Sequence, residues 1–168
     1  MSAAVVVGGG PAGLIAAEEL ASAGVRVTVY EHKPSVGRKL LLAGRGGLNL
    51  THSEDGAAFL DRYGASADRM RPLLDDFDPT ALREWCAGLG EPTFVGSSGR
   101  VFPQSFRATP LLRAWLGRLA ALGVTIETRR RWTGWVNAAG GGTAMRFESP
   151  DGSVTDVAAH VAVFALGG

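Results

Sequence analysis

The residues most suited to chemistry form a glycine-rich hexapeptide, Gly8-Gly9-Gly10-Pro11-Ala12-Gly13, near the start of the sequence. Its first, third and sixth positions are glycines, and it stands between a short apolar run and a helical pattern. In such a turn the first glycine permits a sharp bend, the second leaves room for a pyrophosphate, and the third allows close helix packing. The N–H groups and positive dipole end of the helix favour an anion. The hexapeptide therefore predicts a pyrophosphate site for a dinucleotide.

A carboxylate follows at a matching distance along the chain. Glu31 comes after Gly13 at close to the spacing of about 20 residues expected for the acidic group that accepts hydrogen bonds from ribose hydroxyls. A negative charge there repels a 2′-phosphate, which disfavours an NADP-type occupant. The alternative is a structural turn with an unrelated surface glutamate. We disfavour it because strand, turn, helix, strand and carboxylate all fall in register.

A second glycine-rich segment extends from Gly37 to Thr51. Between Gly37 and Gly47 it has three positive charges and four glycines, which together could neutralise a diphosphate while backbone N–H groups face it. Composition alone leaves a flexible solvated loop as the alternative.

The elements that position these residues follow from hydrophobic periodicity. The run Ala3–Val7 predicts a buried strand, residues 12–23 a helix and residues 25–30 a second strand, which together form a right-handed parallel crossover. Helix starts are predicted at Asp78-Pro79 and Thr109-Pro110. An apolar stripe that includes Leu111, Trp115, Leu119 and Leu122 marks the second of these helices. Loops and short helical patterns over about 52–105 predict an irregular excursion from the sheet.

Five strands are predicted toward the end of the sequence. A short strand at 124–127 is followed by patterns at 131–136, 143–148 and 153–157, whose glycine-rich turns at 139–142 and 150–152 predict an antiparallel meander. The run 161–166 suits a central parallel strand. The predicted fold class is α/β, with a parallel central sheet and an antiparallel β-meander.

Bulk properties narrow the class of partner. The chain has 168 residues and a net charge of +1, which gives no long-range field to attract nucleic acid or an anionic membrane. Cys86 is the single cysteine, so no internal disulfide is possible, and it suits a buried small hydrophobe. The three histidines lack metal-ligand spacing. With no signal peptide or apolar span in view, we expect a cytoplasmic protein with a small-molecule substrate.

The motifs together are specific enough to suggest a family. The segment Val5–Thr51, with GGGPAG, the strand-end Glu31, GRKLL and GRGGLNLTHS, resembles the aminoacetone oxidase-like flavoproteins, which include the BaiN-type flavin reductases. Two later segments agree, GRVFPQS at 99–105 and the terminal VFALGG at 163–168. Leu48 stands where many relatives have cysteine. Members of the family continue into an inserted lobe. The resemblance therefore implies a Rossmann-like FAD/NAD(P)-binding fold that is incomplete at its C-terminus, the N-terminal part of an FAD domain. An uncovered sheet edge could then support self-association.

The resemblance also implies roles for individual residues. FAD would be the cofactor, with NAD(P)H as a candidate electron donor. Glu31 would hold the ribose, and the backbone of Trp132 would lie where such proteins contact adenine. The cofactor-binding residues implied in all are Gly8, Gly10, Pro11, Ala12, Gly13, Glu31, Arg38, Lys39, Gly46, Asn49, Thr51, Trp132, Ala165 and Gly167. No catalytic residue is assigned.

Two other functions remain open at this point. An NAD-binding dehydrogenase domain would use the same glycine fingerprint, although the GRKLL and GRGGLNLTH segments are unnecessary for nicotinamide binding. A non-catalytic nucleotide-binding fragment would bind ADP or FAD without turnover.

Overall fold

The computed structural model describes residues 3–138 and 141–167, in which the chain forms two compact units. The first comprises the residues up to Leu40 and those from Leu116 onward, and the second comprises Leu41–Trp115. The first contains a parallel sheet and an antiparallel meander, and the second a small antiparallel sheet. The α/β, Rossmann-like class is confirmed. The helix α2 (Arg38–Ala43) includes the first boundary between the units, and α6 (Ala108–Ala121) includes the second.

The parallel sheet is built from four strands, numbered in chain order over the whole molecule. They are β1 (Ala3–Val7), β2 (Arg26–Glu31), β6 (Thr125–Thr128) and β10 (Val161–Phe164). Their order is β10-β1-β2-β6, and each neighbouring pair is parallel. Strand β1 is central and apolar because both of its faces are covered, as expected for parallel sheets. The predicted strands are confirmed to within one or two residues.

The helix α1 (Pro11–Ser22) connects β1 to β2. Proline suits its first position, where an N–H would have no partner within the helix, and Gly24 just beyond its end adopts a φ of +80°. Leu14 and Ala17 are fully buried on its apolar face. Glu18 is also buried, and its Oε1 accepts a hydrogen bond of 2.9 Å from Arg118 of α6. This ion pair joins the two helices within the first unit.

The meander consists of β7 (Arg131–Asn137), β8 (Thr143–Glu148) and β9 (Val154–Val157), all antiparallel, as predicted. Met145 and Phe147 are fully buried, and the Phe147 ring stacks on Tyr30 of β2 with 4.0 Å between the centroids. This contact places the meander against the carboxyl half of β2. The turn predicted at 139–142 lies partly outside the described residues.

The second unit contains the predicted excursion. Its helices are α3 (Gly56–Asp61), α4 (Ala67–Asp76) and α5 (Pro79–Gly88), with short 3-10 turns at Gly44–Gly46 and Gly64–Ser66. The sequence did not predict its sheet, β3 (Thr51–His52), β4 (Thr93–Val95) and β5 (Arg100–Pro103), in the order β3-β5-β4. Whether these residues are an excursion within one domain stays a prediction.

The two predicted proline-containing helix starts have different outcomes. Asp78 caps α5, since its carboxylate accepts the N–H of Ala81 at 2.7 Å. The Thr109 cap is wrong, because α6 begins at Ala108 and Thr109 lies inside it. The chain adopts a left-handed φ of +59° at Phe106, and the helix begins at Ala108, two residues before the start predicted at Pro110. Pro110 is tolerated because the first N–H groups of a helix have no internal partner. Leu122, predicted on the apolar face of this helix, is 38% exposed.

The single cysteine is buried, as predicted. Cys86 has no exposed surface, and this burial, reinforced by the negative charge of Glu91, raises the pKa of its thiol to about 11. None of the helices in the described residues combines the length and apolarity needed to cross a membrane.

Candidate dinucleotide-binding site

The turn after β1 is held closely by its neighbours in the first unit. The N–H of Gly8 donates to the carbonyl of Tyr30 at 2.8 Å, and Gly8 has a φ of +110°. A Cβ at this position would lie 2.2 Å from the carbonyl oxygen of Ala165. Glycine is therefore required at position 8 by both conformation and space.

Gly13 is required for a different reason, the close approach of α1 to the turn. A Cβ there would lie 1.9 Å from the carbonyl oxygen of Gly8 and 3.3 Å from the Cβ of Ala165. This is the helix-to-strand packing expected of the third glycine in the fingerprint.

No such internal requirement applies to Gly10. It has φ −79° and ψ 178°, extended backbone that any residue can adopt, and a Cβ there would meet nothing within 4 Å. It caps the N-terminus of α1 without a side-chain hydrogen bond, and no acidic residue stands in the first turn. The described chain thus leaves open space at Gly10, and no acidic side chain within the first turn of α1, where a pyrophosphate would bind. Pro11 and Ala12 are exposed beside it.

Glu31 is joined to this turn by hydrogen bonds. Its Oε2 accepts the N–H of Gly9 at 2.8 Å, and its Oε1 accepts the N–H of Lys33 at 2.7 Å. The Nδ1 of His32 lies 2.9 Å from Oε1. Glu31 is buried, with 7% of its surface exposed. The carboxylate predicted for ribose binding therefore lies next to the glycine turn, at the end of β2.

The sequence analysis missed the partners of this carboxylate. Gly9 and His32 were not assigned to the site, although both contact Glu31. A Cβ on Gly9 would lie 2.4 Å from the Cγ1 of Val36, so this glycine is also required by packing. The fingerprint spacing marks only the first, third and sixth positions and carries no signal for the N–H of the second.

The residues after β10 complete this part of the site. The N–H of Ala165 donates to the carbonyl of Val7 at 2.8 Å, which extends the pairing with β1. Gly167 has a φ of +74°, and a Cβ on it would lie 3.0 Å from the Nζ of Lys39. The structure therefore places the predicted Ala165 next to the glycine turn, and the predicted Lys39 next to Gly167. Arg38 lies exposed at the start of α2.

Trp132 lies on β7, where its ring packs against Phe164 with 4.8 Å between centroids. Its Nε1 is buried and has no hydrogen-bond partner among the described residues. The ladder between β7 and β8 shifts register between Trp132 and Gly134. The predicted contact between its backbone and adenine stays a prediction.

The other predicted residues belong to the second unit. Gly46 and Asn49 are exposed and Thr51 starts β3. The N–H groups of Leu48 and Leu50 anchor this loop to the carbonyls of Phe106 and Val101.

The glycines in this loop again fall into two kinds. Gly47 has a φ of +112°, and a Cβ on it would lie 2.3 Å from the Phe106 ring. A Cβ on Gly44 would lie 2.6 Å from that of Ala108, whereas one on Gly46 would meet nothing within 4 Å.

His52 performs a structural role in the second unit. Its Nε2 donates to the carbonyl of Ser98 at 3.0 Å, and its Nδ1 accepts the N–H of Glu54 at 3.3 Å. The ring also occupies the space where Gly99 would have a side chain. Among residues 3–138 and 141–167, no group of three or more His, Cys, Asp or Glu side chains could hold a metal ion.

Known proteins resemble this chain in part of their length. A thiamine thiazole synthase from Methanococcoides burtonii is 41% identical over 61 residues, which cover 36% of this chain and 24% of that protein. Among solved structures, THI4 from Thermovibrio ammonificans superposes with a TM-score of 0.64 at 18% identity, covering 99% of this chain and 57% of its own.

A second solved structure has the same fold. The 3-ketosteroid-delta4-(5alpha)-dehydrogenase from Rhodococcus jostii RHA1 gives a TM-score of 0.68 at 17% identity, covering 99% of this chain and 46% of its own. The chain thus spans about half the length of the two solved structures, and its match to the thiazole synthase spans about a quarter of that protein.

The sequence model of one protein family, described as "HI0933-like protein Rossmann domain", matches residues 2–168. The match includes the glycine turn, the strand-end carboxylate and the segment after β10. The family resemblance drawn from the sequence is confirmed, and the chain belongs to the HI0933-like protein family, over its Rossmann domain.

Proposed function

We propose that this chain binds FAD by the pyrophosphate and the adenosine ribose, as part of an FAD-dependent oxidoreductase. The observation that carries the proposal is Gly10, whose ordinary backbone angles and open surroundings do not require a glycine. Gly8 and Gly13 are required by the chain itself in the same turn. A group outside the chain that approaches the backbone at position 10 accounts for this difference.

The described residues fit the cofactor. The first turn of α1 would hold the pyrophosphate through its free N–H groups and dipole, and Glu31 would accept a ribose hydroxyl. Lys39, whose ammonium lies near Gly167, would add positive charge on the phosphate side. When bound, FAD supplies hydride and electron transfer, and the protein orients it.

FAD is preferred to NAD because of the second glycine-rich segment. The predicted residues Arg38, Gly46, Asn49 and Thr51 have no task in nicotinamide binding but would line the phosphate-to-ring part of FAD. One of the similar folds belongs to a protein named as a dehydrogenase, which agrees with redox chemistry.

The finer parts of the proposal rest on the sequence. They are a small-molecule substrate, NAD(P)H as electron donor and a cytoplasmic location, with no nucleic-acid or membrane partner. Self-association through β10 is supported by two exposed apolar residues on this edge of the described sheet, Val161 at 46% and Phe164 at 41%.

Visible absorption of the purified chain, before and after addition of FAD, tests the cofactor. We expect bound flavin, and we expect Glu31→Ala to weaken FAD binding by about 1 to 3 kcal/mol, the cost of leaving polar partners unmatched. The matched control is Glu19→Ala, which removes an exposed carboxylate from α1. Because Glu31 also supports the turn, Glu31→Gln and thermal melting are included to separate binding from folding.

Three results would contradict parts of the proposal. Flavin binding that is the same in Glu31→Ala, Glu31→Gln and the native chain would exclude the ribose assignment. Absence of flavin binding together with tight NAD binding would favour the dehydrogenase alternative. FAD binding without turnover in the longer protein would favour a non-catalytic module.

A further inference from the structure

Phe106 combines a strained backbone with an exposed aromatic side chain. It lies in the turn between β5 and α6, where its N–H donates to the carbonyl of Pro103 at 2.8 Å and its φ is +59°. The left-handed conformation costs free energy for a bulky residue and is natural for glycine. Phe106 is nonetheless 44% exposed. An aromatic residue that is both strained and exposed is a candidate for contact with a ligand.

The ring of Phe106 is held in place by its neighbours in the second unit. Its centroid lies 5.0 Å from that of Phe102 and 6.5 Å from that of Phe94. It also lies against Gly47, where a Cβ would come 2.3 Å from the Cζ of Phe106. The exposed part of the ring is therefore preorganised, which lowers the entropic cost of a further aromatic contact.

Phe106 also anchors the second glycine-rich segment. Its carbonyl accepts the N–H of Leu48 at 3.1 Å, and its ring lies at Gly47. The preceding residue, Gly46, is exposed, and a Cβ on it would meet nothing within 4 Å. A ligand that approaches the bare backbone at Gly46 would therefore come within one residue of the Phe106 ring.

We propose that the Phe106 ring stacks on the isoalloxazine ring of bound FAD. The inference rests on the proposed function, in which this segment lines FAD between its phosphates and its ring. Isoalloxazine is flat and conjugated and has an apolar dimethylbenzene end, so an offset contact with a phenyl ring is favourable. Phe106 thereby orients the flavin ring.

Comparison of FAD with ADP isolates the contribution of this contact, because ADP has the adenosine and the diphosphate but no flavin. Phe106→Gly removes the ring and suits the left-handed φ. In flavin titrations we expect FAD to bind this variant about three- to tenfold more weakly, the loss of one aromatic pair. In competition experiments ADP should bind it as it binds the native chain.

The matched control is Phe77→Ala. Phe77 follows α4 in the same unit and is 45% exposed, close to the value for Phe106. Its removal should change the affinity for neither FAD nor ADP. A general loss of exposed aromatic surface would affect both variants alike.

Phe106→Tyr tests the contact by spectroscopy. Tyrosine keeps the ring, so the affinity for FAD should stay near the native value. A phenol in contact with an excited flavin quenches its fluorescence by electron transfer, which phenylalanine does not do. We therefore expect the fluorescence lifetime of bound FAD to shorten in Phe106→Tyr and to stay native in Phe77→Tyr. Thermal melting checks folding, and Phe106→Tyr keeps the packing on Phe102 even where Phe106→Gly loses stability.

Each outcome decides the proposal. Equal changes in the affinities for FAD and ADP in Phe106→Gly, or an unchanged flavin lifetime in Phe106→Tyr, would overturn it while leaving the proposed cofactor intact. Failure of the native chain to bind FAD would overturn both this proposal and the proposed function.

Discussion

Each compact unit has one glycine-rich loop, and both loops contain glycines that the fold requires together with one that it does not require. In the turn after β1, Gly8 and Gly13 are required by the chain itself, while Gly10 is not. In the loop after α2, Gly44 and Gly47 are required by Ala108 and Phe106, while Gly46 is not. In each loop, the remaining glycine, Gly10 or Gly46, has open space beside its Cα and leaves the backbone there without a covering side chain.

The two loops differ in the surroundings of Gly10 and Gly46. Gly10 stands at the N-terminus of a helix of 12 residues, next to a buried carboxylate. Gly46 stands in a 3-10 turn of three residues, where no comparable dipole develops. We infer that the first loop supplies most of the affinity for a diphosphate.

The largest effect is expected for Gly13→Ala, which places a Cβ 1.9 Å from the carbonyl oxygen of Gly8. Because the new Cβ clashes with a backbone oxygen, which no side-chain rotation can move away, we expect the free energy of unfolding to fall by about 3 kcal/mol. Denaturation in urea measures it. The control is Gly117→Ala, exposed within α6 with no neighbour within 4 Å, which should stabilise the chain by about 0.5 to 1 kcal/mol. Equal behaviour of the two variants would contradict the packing argument.

A smaller loss of stability is expected for Gly47→Ala. The added Cβ meets the ring of Phe106 and imposes an alanine on a φ of +112°, and we expect a cost of about 1 to 3 kcal/mol. The double variant Gly47→Ala/Phe106→Ala separates the two causes when Phe106→Ala is measured alone, because the Phe106 ring also packs against Phe94 and Phe102. An equal cost of Gly47→Ala in the native and Phe106→Ala backgrounds would show that the ring contributes nothing to the cost.

Gly10→Ala should change binding and leave folding nearly intact. Alanine fits the backbone angles and the open space, and as a helix cap it costs up to about 1 kcal/mol relative to glycine. Its methyl group would occupy the path of the pyrophosphate, so we expect FAD affinity to fall about tenfold or more, equivalent to at least ~1.4 kcal/mol. Flavin titration and melting are measured on the same samples. Native affinity in this variant would remove the main support for the proposed function.

The smallest effect is expected for Gly46→Ala. The methyl group has open space, so the free energy of unfolding should change by less than about 0.5 kcal/mol. We expect FAD binding to weaken by about threefold, the equivalent of one weakened hydrogen bond. A loss as large as that of Gly10→Ala would show that the second loop contributes equally to cofactor binding.

The sequence predicted the elements whose formation depends on neighbouring residues. The unit β1, α1 and β2 follows from a run of apolar residues, an amphipathic pattern and the alternation before Glu31, all local signals. The fingerprint spacing also placed the carboxylate next to the turn. The meander was predictable for the same reason, because its strands alternate and its turns are rich in glycine.

The features that the sequence did not predict depend on contacts between residues that are far apart in the sequence. Strands β3 and β4 have two and three residues, too few for alternation to be visible, and they form by pairing with β5. The start of α6 was misplaced because Phe106 adopts a left-handed conformation beside Gly47, which is far away in the sequence. Likewise, the contact between His32 and Glu31 depends on the orientation of one carboxylate.

Because Cys86 is buried, the rate at which its thiol is modified reports how often the surrounding structure opens. Cys86 is the single cysteine, it has no exposed surface, and a thiol pKa of about 11 leaves almost no thiolate at neutral pH. A thiol-specific reagent can therefore modify the chain only through states in which α5 separates from its surroundings. The labelling rate, followed against denaturant, would give the opening free energy of the second unit without any added probe.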